Sequence, residues 1–389
     1  MSEFASEPRA QSTIARIESI PVADPLDVAD RYGSSRGLVP GRAAVLVRLE
    51  TSDGVVGWGE AWGGSPAART LVDELGERLV GTPLRPSSNW LTGLLQQSYH
   101  YSSSGLHVVA ASALDIAMWD AFARTLSRPV HELMGGPTRD RISTYASTGY
   151  VTIDNDLGRF RSVLQESADE GYPGVKIKIG LGVASDEERT RIARETFGPG
   201  AALFVDFNGN YTADQAIRSL EAVRVHGLGW AEEPVTPDDH EGLRLLRRSG
   251  VPLAAGEAVY TRFGFRDLIA GRLIDVAQPD VTKCGGISEA RVIAHLAQTW
   301  NVRFSPHVWG GAISQAATVQ LLAGVPTYPH TDHQPEPLWF EMDRGTNALR
   351  DELAAEPLGR DGTDLLVPRT PGLGIEIDEK ALARLRSDR

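Results

Sequence analysis

Three carboxylates fall at near-equal steps along the middle of this chain: Asp206 in LFVDFN, Glu232 in GWAEEP and Glu257 in PLAAGEA. Each lies near the end of a short apolar run that ends in Gly, Asn or Pro, and a segment of helical periodicity follows each run. An apolar run, a breaker and a helix make a βα unit. Repeated in series, such units demand a parallel sheet, and eight of them close into a barrel whose strand ends meet on one face. Acids far apart in sequence therefore converge there. Like charges held so close repel unless a cation sits between them. Three carboxylates plus water suit a hard divalent ion, so Mg²⁺ is the first expectation.

The rest of the chain can be phased from this ladder. From Arg139 strand and helix alternate: strands at Ile142–Thr148, Gly174–Gly180, Ala201–Asn208, Gly227–Pro234, Pro252–Ala258, Ile274–Asp280 and Val302–His307, with the eighth between Thr327 and Met342. Ser185 is the expected cap of the second helix and Thr212 of the third. Before Arg139 the pattern differs. Strands Ser12–Val22, Ala43–Thr51 and Val55–Trp62, the latter two joined by the turn signal Asp53-Gly54, precede helices at Pro66–Leu79 and Gly105–Leu126. Segregated strands and helices describe an α+β domain. Pro21–Pro40 shows no period and reads as a long loop of the kind that forms lids. Gly372–Ile377 reads as a strand returning to the first domain. The expected division is residues 1–138 for this domain, 139–365 for the barrel and 366–389 for the returning segment.

The length of 389 residues accommodates a barrel of about 250 plus a smaller partner. A net charge of -12 makes nucleic acid and anionic membranes poor partners. The one cysteine, Cys284, excludes an intrachain disulfide framework and fits a reducing compartment. No run of 18 apolar residues reads as a membrane span, and MSEFASEPRAQST lacks the features of a signal peptide and reads as a frayed tail, so a cytoplasmic location is expected.

Several residues on this ladder carry chemistry. Lys176 and Lys178 are two apart in a strand, so both side chains share a face. A lone Lys-x-Lys is usually a pair of solvated lysines. Beside a cluster of acids and a metal, two adjacent ammonium groups disfavour each other's protonation, and one can serve as a base. Asn208 shares a face with Asp206 and reads as a ligand contact. Glu232 and Glu233 are adjacent and point to opposite faces, so only one looks into the barrel, and the residues alone leave the choice open. Asp280 and His307 end neighbouring strands, and an Asp bonded to one imidazole nitrogen fixes the tautomer and raises the basicity of the ring. Glu341 faces the mouth if the phase of the eighth strand holds. Lys283 either reaches the site or neutralises Asp280. His330 and His333 flank Asp332 in a Pro-rich stretch that reads as a loop rather than a zinc site. Asp115 and Asp120, on the Ala-rich helix, read as structural partners at the domain junction. Arg31, Arg36 and Arg42 lie in or beside the lid segment, where they can meet a distal carboxylate or hydroxyls.

Taken together, the Lys-x-Lys, the three strand-end acids and the Asp and His that follow resemble the enolase superfamily, and within it the mandelate racemase subgroup. The likeness covers nearly the whole chain and includes Asp115-Ile-Ala-Met-Trp-Asp120, Leu133-Met-Gly-Gly136, Pro279-Asp280-Val-Thr-Lys283-Cys-Gly-Gly286 and Gly372-Leu-Gly-Ile375. The resemblance implies a (β/α)7β modified TIM barrel with an N-terminal α+β capping domain. It implies Mg²⁺ on Asp206, Glu232 and Glu257, which selects Glu232 over Glu233. It implies Lys178 as one acid/base and the His307–Asp280 dyad as the other, Lys176 tuning Lys178 and holding the substrate carboxylate, and Glu341 at the opposite carboxylate oxygen. Loops around Val22–Pro40 and Trp58–Gly64 are implied to cap the barrel and select the substrate, and assembly as a homo-oligomer is implied as well. Superfamily chemistry is abstraction of the proton α to a carboxylate, with Mg²⁺ stabilising an ene-diolate. The runs Ser305–Gly311 and Glu336–Asp343 look most like those of acid-sugar dehydratases and sugar-lactone cycloisomerases. Dehydration of an acid sugar is the first expectation; cycloisomerisation or racemisation of a related acid comes second, and a silent carboxylate-binding relative is the reading of another class.

Overall fold

The structure is a computed structural model that describes residues 12–97, 99–100, 103–326 and 336–387. The tail before Ser12, and with it the expectation of fraying, lies outside the described residues, as do His330, Asp332 and His333.

The N-terminal domain is α+β. Strands Ile14–Pro25, Gly41–Thr51 and Val56–Trp62 form an antiparallel sheet with Gly41–Thr51 in the middle. Helix Leu106–Thr125 packs on it through a buried face that includes Ala110, Ala113, Leu114, Ala117 and Ala121. This helix is long and apolar enough to cross a membrane. Its apolarity is accounted for by burial on all sides, which includes the buried carboxylates of Asp115 and Asp120.

The second domain carries eight parallel strands: Thr144–Thr148, Gly174–Lys178, Ala202–Asp206, Trp230–Glu232, Leu253–Ala255, Val276–Ala277, Arg303–Phe304 and Phe340–Asp343, here called barrel strands one to eight. The ladder runs from strand seven back to strand one and on to strand eight, curling into a TIM-type barrel. Ser305 Oγ meets Trp339 O at 3.3 Å between the two end strands. Helices follow the first seven strands, the last two being Gly286–Thr299 and Ala312–Gly324, while the eighth is followed directly by the single turn Ala348–Asp351. Strand periodicity layers the barrel interior. Tyr145, Phe204, Trp230 and Trp339 pack together, with Phe204 stacked on Trp230 at 3.5 Å between centroids. Asp206 and Glu232 stand two residues beyond Phe204 and Trp230, on the same face, so an aromatic layer underlies the acids.

Three expectations are corrected. Pro21–Pro40 is not structureless: the first strand continues to Pro25, and Tyr32–Ser34 and Gly37–Leu38 form a small hairpin that also pairs with Val151–Thr152 after barrel strand one. Polar turn residues hid it because its partner strand lies far away in sequence. Ser185 does not cap its helix, which begins at Val183 after Gly182 with no side-chain cap; Asp186, within the helix, accepts from Gly180 N and Leu181 N and so holds the loop that leads into it. Barrel strand eight, Phe340–Asp343, falls at the end of its expected range. Gly372–Ile377 is not a strand. It does meet the first domain, through a bridge of Pro129 with Gly372 and a bond from Leu373 N to Asp120 Oδ1 at 2.8 Å.

Candidate active site

The barrel ladder places the acids. Lys178 is in register with Asp206, and Asp206 with Glu232, across strands two, three and four. Glu257 follows strand five by two residues. One oxygen from each of Asp206, Glu232 and Glu257 lies within 4.8 Å of the others. The lysines sit among them. Lys178 Nζ donates to Asp206 Oδ2 at 2.5 Å, and Lys176 Nζ lies 2.7 Å from both Glu232 Oε1 and Glu341 Oε1. Burial alone would push the Lys176 ammonium down, but Glu232 and Glu341 outweigh it and hold the group well above the usual lysine range. Glu341 is buried as well, yet Lys176, His307 and Lys178 bring its carboxyl below the ordinary value.

Across the mouth, His307 Nδ1 meets Asp280 Oδ2 at 2.7 Å, and Nε2 lies 3.3 Å from Glu257 Oε2. Burial lowers the imidazole pKa, and the charges of Glu257, Asp280 and Glu341 overcome that and raise it. Asp280 is locked in turn by Thr282, whose N and Oγ1 both donate to Oδ1. Lys178, Asn208, Glu257 and His307 line one cavity of about 320 Å³, walled also by Tyr150 and Trp309 and roofed by Ser34, Arg36 and Trp62 of the N-terminal domain. Lys176, Asp206, Glu232, Asp280 and Glu341 lie behind that wall, buried.

Donor chemistry fits a divalent cation. Asp206, Glu232, Glu233, Glu257, Asp280 and Glu341 outnumber the buried cations Lys176, Lys178, Lys283 and His307. Among the described residues, Glu233 Oε1 and Asn208 Oδ1 are buried without a hydrogen-bond partner. Hard oxygen donors in this excess suit Mg²⁺.

Other expected residues fall elsewhere. Of the three arginines only Arg36 lines the cavity; it donates to Asn208 O at 3.0 Å and Gly209 O at 3.3 Å. Arg42 is buried, stacked 3.5 Å from the Trp309 ring, and 3.5 Å from Asp343 Oδ2. It joins the domains and leaves the substrate space to others, because a buried guanidinium takes the available carboxylate and aromatic face. Lys283 does not line the cavity; its Nζ donates to Glu257 O at 3.0 Å and lies 4.0 Å from the centre of the Trp62 ring, and after the His307 contacts its charge helps hold the Asp280 carboxyl below the ordinary value, as expected. Three contributors, Gln278, Tyr150 and Trp309, were not foreseen, while Trp62 belongs to a loop expected to cap the barrel. Gln278 fixes Glu232 Oε2 at 2.7 Å. The Tyr150 phenol donates to Asp343 at 2.6 Å and accepts from Trp309 Nε1 at 3.0 Å, which sets one wall. Trp62 and Trp309 face the same space. Gln278 had a visible signal, since it lies two residues before Asp280.

Residues 17–135 match the mandelate racemase / muconate lactonizing enzyme, N-terminal domain, and residues 159–381 match the enolase C-terminal domain-like family. The chain belongs to the mandelate racemase / muconate lactonizing enzyme family. It is thus an enzyme of the enolase superfamily. The D-galactarolactone cycloisomerase of Agrobacterium fabrum is 35% identical over 348 residues, 89% of this chain and 92% of that one. The arabinonate dehydratase of Saccharolobus solfataricus is 30% identical over 341 residues, 86% and 88% of the two chains. The crystal structure of a racemase from Streptomyces coelicolor with bound magnesium superposes with a TM-score of 0.85 at 27% identity, covering 96% of this chain and all of that one.

Proposed function

We propose that this enzyme removes the proton α to the carboxylate of an acid sugar and expels the β-hydroxyl as water, leaving a 2-keto-3-deoxy acid. One observation carries the reading: Lys178 and His307, from strands two and seven, line a single cavity beside the cluster of Asp206, Glu232 and Glu257. Asp206, Glu232 and Glu257 would hold Mg²⁺, which when bound would supply positive charge against the negative charge that develops on the substrate carboxylate and would offset the Asp206 charge that raises the Lys178 pKa.

The chain's own residues do the rest. Lys176, fixed between Glu232 and Glu341, is a permanent cation directed at the substrate carboxylate. Lys178 Nζ takes the α-proton; the α C–H bond breaks and its electron pair moves into the carboxylate as an ene-diolate. When that pair returns, the β C–O bond breaks. His307, whose basicity Glu257 and Asp280 raise, gives its proton to the departing hydroxyl, and the enol left behind tautomerises to the ketone. Asn208 and Arg36 offer polar contacts to the hydroxyl chain, and the faces of Trp62 and Trp309 exclude water.

A second reading keeps the same residues and changes the leaving group. The likeness to a lactone cycloisomerase favours departure of a ring oxygen, with no loss of water. Incubation with Mg²⁺ and a panel of aldonates, aldarates and their lactones decides between them. Product lighter by one water supports dehydration, and product of unchanged mass with an opened ring supports cycloisomerisation. Solvent deuterium at the α-carbon without elimination supports a racemase. A panel that yields neither product nor exchange removes the reading and leaves a silent carboxylate-binding protein.

A further inference from the structure

Helix Gly286–Thr299 follows Asp280 and helix Ala312–Gly324 follows His307, and both begin after a glycine. Glycine has no side chain to satisfy the free N–H groups of a first turn, which Ser, Asp and a following Glu usually cover in a capping box. Here the N-terminal domain supplies the missing groups. For Ala312–Gly324, the two oxygens of Glu60 accept from Gly311 N at 2.6 Å and Ser314 N at 3.0 Å. For Gly286–Thr299, Ser112 Oγ accepts from Gly285 N at 2.9 Å and Asp115 Oδ2 from Ser288 N at 2.9 Å. In both cases the N-cap and third N–H are satisfied, the same pair a capping box covers. Glu60, Ser112 and Asp115 are all buried. The glycines leave room for this: a Cβ on Gly310 would stand 2.6 Å from Glu60 Oε1, and one on Gly286 would collide with Asp115.

The His307 segment is clamped at successive residues. Glu341 Oε2 accepts from Val308 N at 3.1 Å, Arg42 donates to Trp309 O, and Asn347 Nδ2 donates to Gly310 O at 2.9 Å before Glu60 takes Gly311 N. Two of these four clamps, Arg42 and Glu60, belong to the N-terminal domain.

We propose that Glu60 is a positioning residue, and that the Ser112–Asp115 pair is its counterpart. Docking of these groups on the two helix N-termini sets the loops that bring His307 and Asp280 together. The effect on elimination rests on the function proposed above; the effect on the loop does not.

Two variants test this, Glu60→Ala, which removes both acceptors, and Glu60→Gln, which keeps one. Each is examined at about pH 8, where a group that titrates near 7 is ionised. Backbone hydrogen exchange followed by mass spectrometry should quicken across residues 305–314 and stay unchanged over barrel strands two and three. With D-galactonate or D-galactarolactone, whichever the unaltered enzyme turns over, kcat for elimination should fall about 10- to 100-fold in Glu60→Ala with KM within about threefold, and α-proton exchange should fall far less. Glu60→Gln should lie between. Unchanged exchange at 305–314 overturns the proposal, as does equal loss of α-exchange and elimination. Failure of both variants to fold also overturns it, by assigning Glu60 to stability alone. An unaltered enzyme that turns over neither compound counts against the proposed function, while the exchange at 305–314 still decides the role of Glu60.

Discussion

The two sides of the barrel mouth are built differently. Lys178, Asp206 and Glu232 are the last residues of their strands and stand in ladder register, so main-chain hydrogen bonds fix their spacing. Asp280 and His307 stand three residues beyond strands only two residues long, in loops whose geometry the ladder does not set. Those loops are held from outside, by Glu60, Arg42, Ser112 and Asp115 of the N-terminal domain. The cation-binding half is therefore a property of the barrel, and the dyad half is conditional on a second domain. An enzyme built this way can retain α-proton exchange after losing the step that needs a placed acid.

The harshest break of this comparison is on the ladder side. An excess of chelator should abolish turnover, and added Mg²⁺ should restore it. Lys178→Ala should lower α-proton exchange by about 10²- to 10⁴-fold while affinity for a carboxylate ligand survives, as isotope exchange and calorimetry would show. Undiminished exchange would remove Lys178 from its role. On the dyad side, His307→Asn should cost elimination about a hundredfold or more, but leave wash-in of solvent deuterium within about tenfold of the unaltered enzyme. Equal loss of both would mean that the two halves act as one unit. Arg36→Ala, at the roof, should be milder. It should raise KM about tenfold for substrates that are polar at the far end and barely alter kcat, the size of a lost hydrogen bond to a charged group.

The sequence made the chemistry-bearing residues far more legible than the groups that hold them. Asp206, Glu232 and Glu257 each close an apolar run, and strand period and breaker point to such residues without reference to the rest of the chain, although the choice of Glu232 over Glu233 needed the family resemblance. Lys176 and Lys178 follow from the same period, whereas Asp280 and His307, expected at strand ends, stand three residues beyond them. Residues whose meaning depends on a distant partner were not legible. Nothing in Gly-Trp-Gly-Glu60 shows that its carboxylate will serve a helix 250 residues later, and nothing around Arg42 distinguishes a buried guanidinium stacked on Trp309 from a solvated one. The hairpin of Tyr32–Ser34 was hidden because its outer partner, Val151–Thr152, comes from the barrel. Asp115 and Asp120 were read correctly as junction residues, but the helix end that Asp115 serves emerges only from tertiary structure. Strand-end chemistry is local information, whereas interdomain clamping is not.

The mildest prediction concerns Asp115, which tests the conditional half without touching the chemistry. Burial lifts its carboxyl from the ordinary 3.8 to about 7, against the two bonds from Ser288 and a weaker one from Trp90, and the nearby Glu289 adds to the rise. A carboxyl with a raised folded-state pKa binds a proton more readily in the folded chain than in the unfolded one. Its stabilising contribution is full below about 4 and is lost as pH climbs to about 7, at ~1.4 kcal/mol per pH unit. Asp115→Asn keeps the shape and cannot titrate. The melting-temperature advantage of the unaltered protein over this variant should therefore be greatest at about pH 4 and shrink steadily up to about pH 7, so that it is larger at pH 5 than at pH 8, while shifts from groups common to both proteins cancel in the difference. An advantage that widens with pH would mean that Ser288 outweighs burial and that the carboxylate, not the acid, is the form that holds the helix Gly286–Thr299 at every pH.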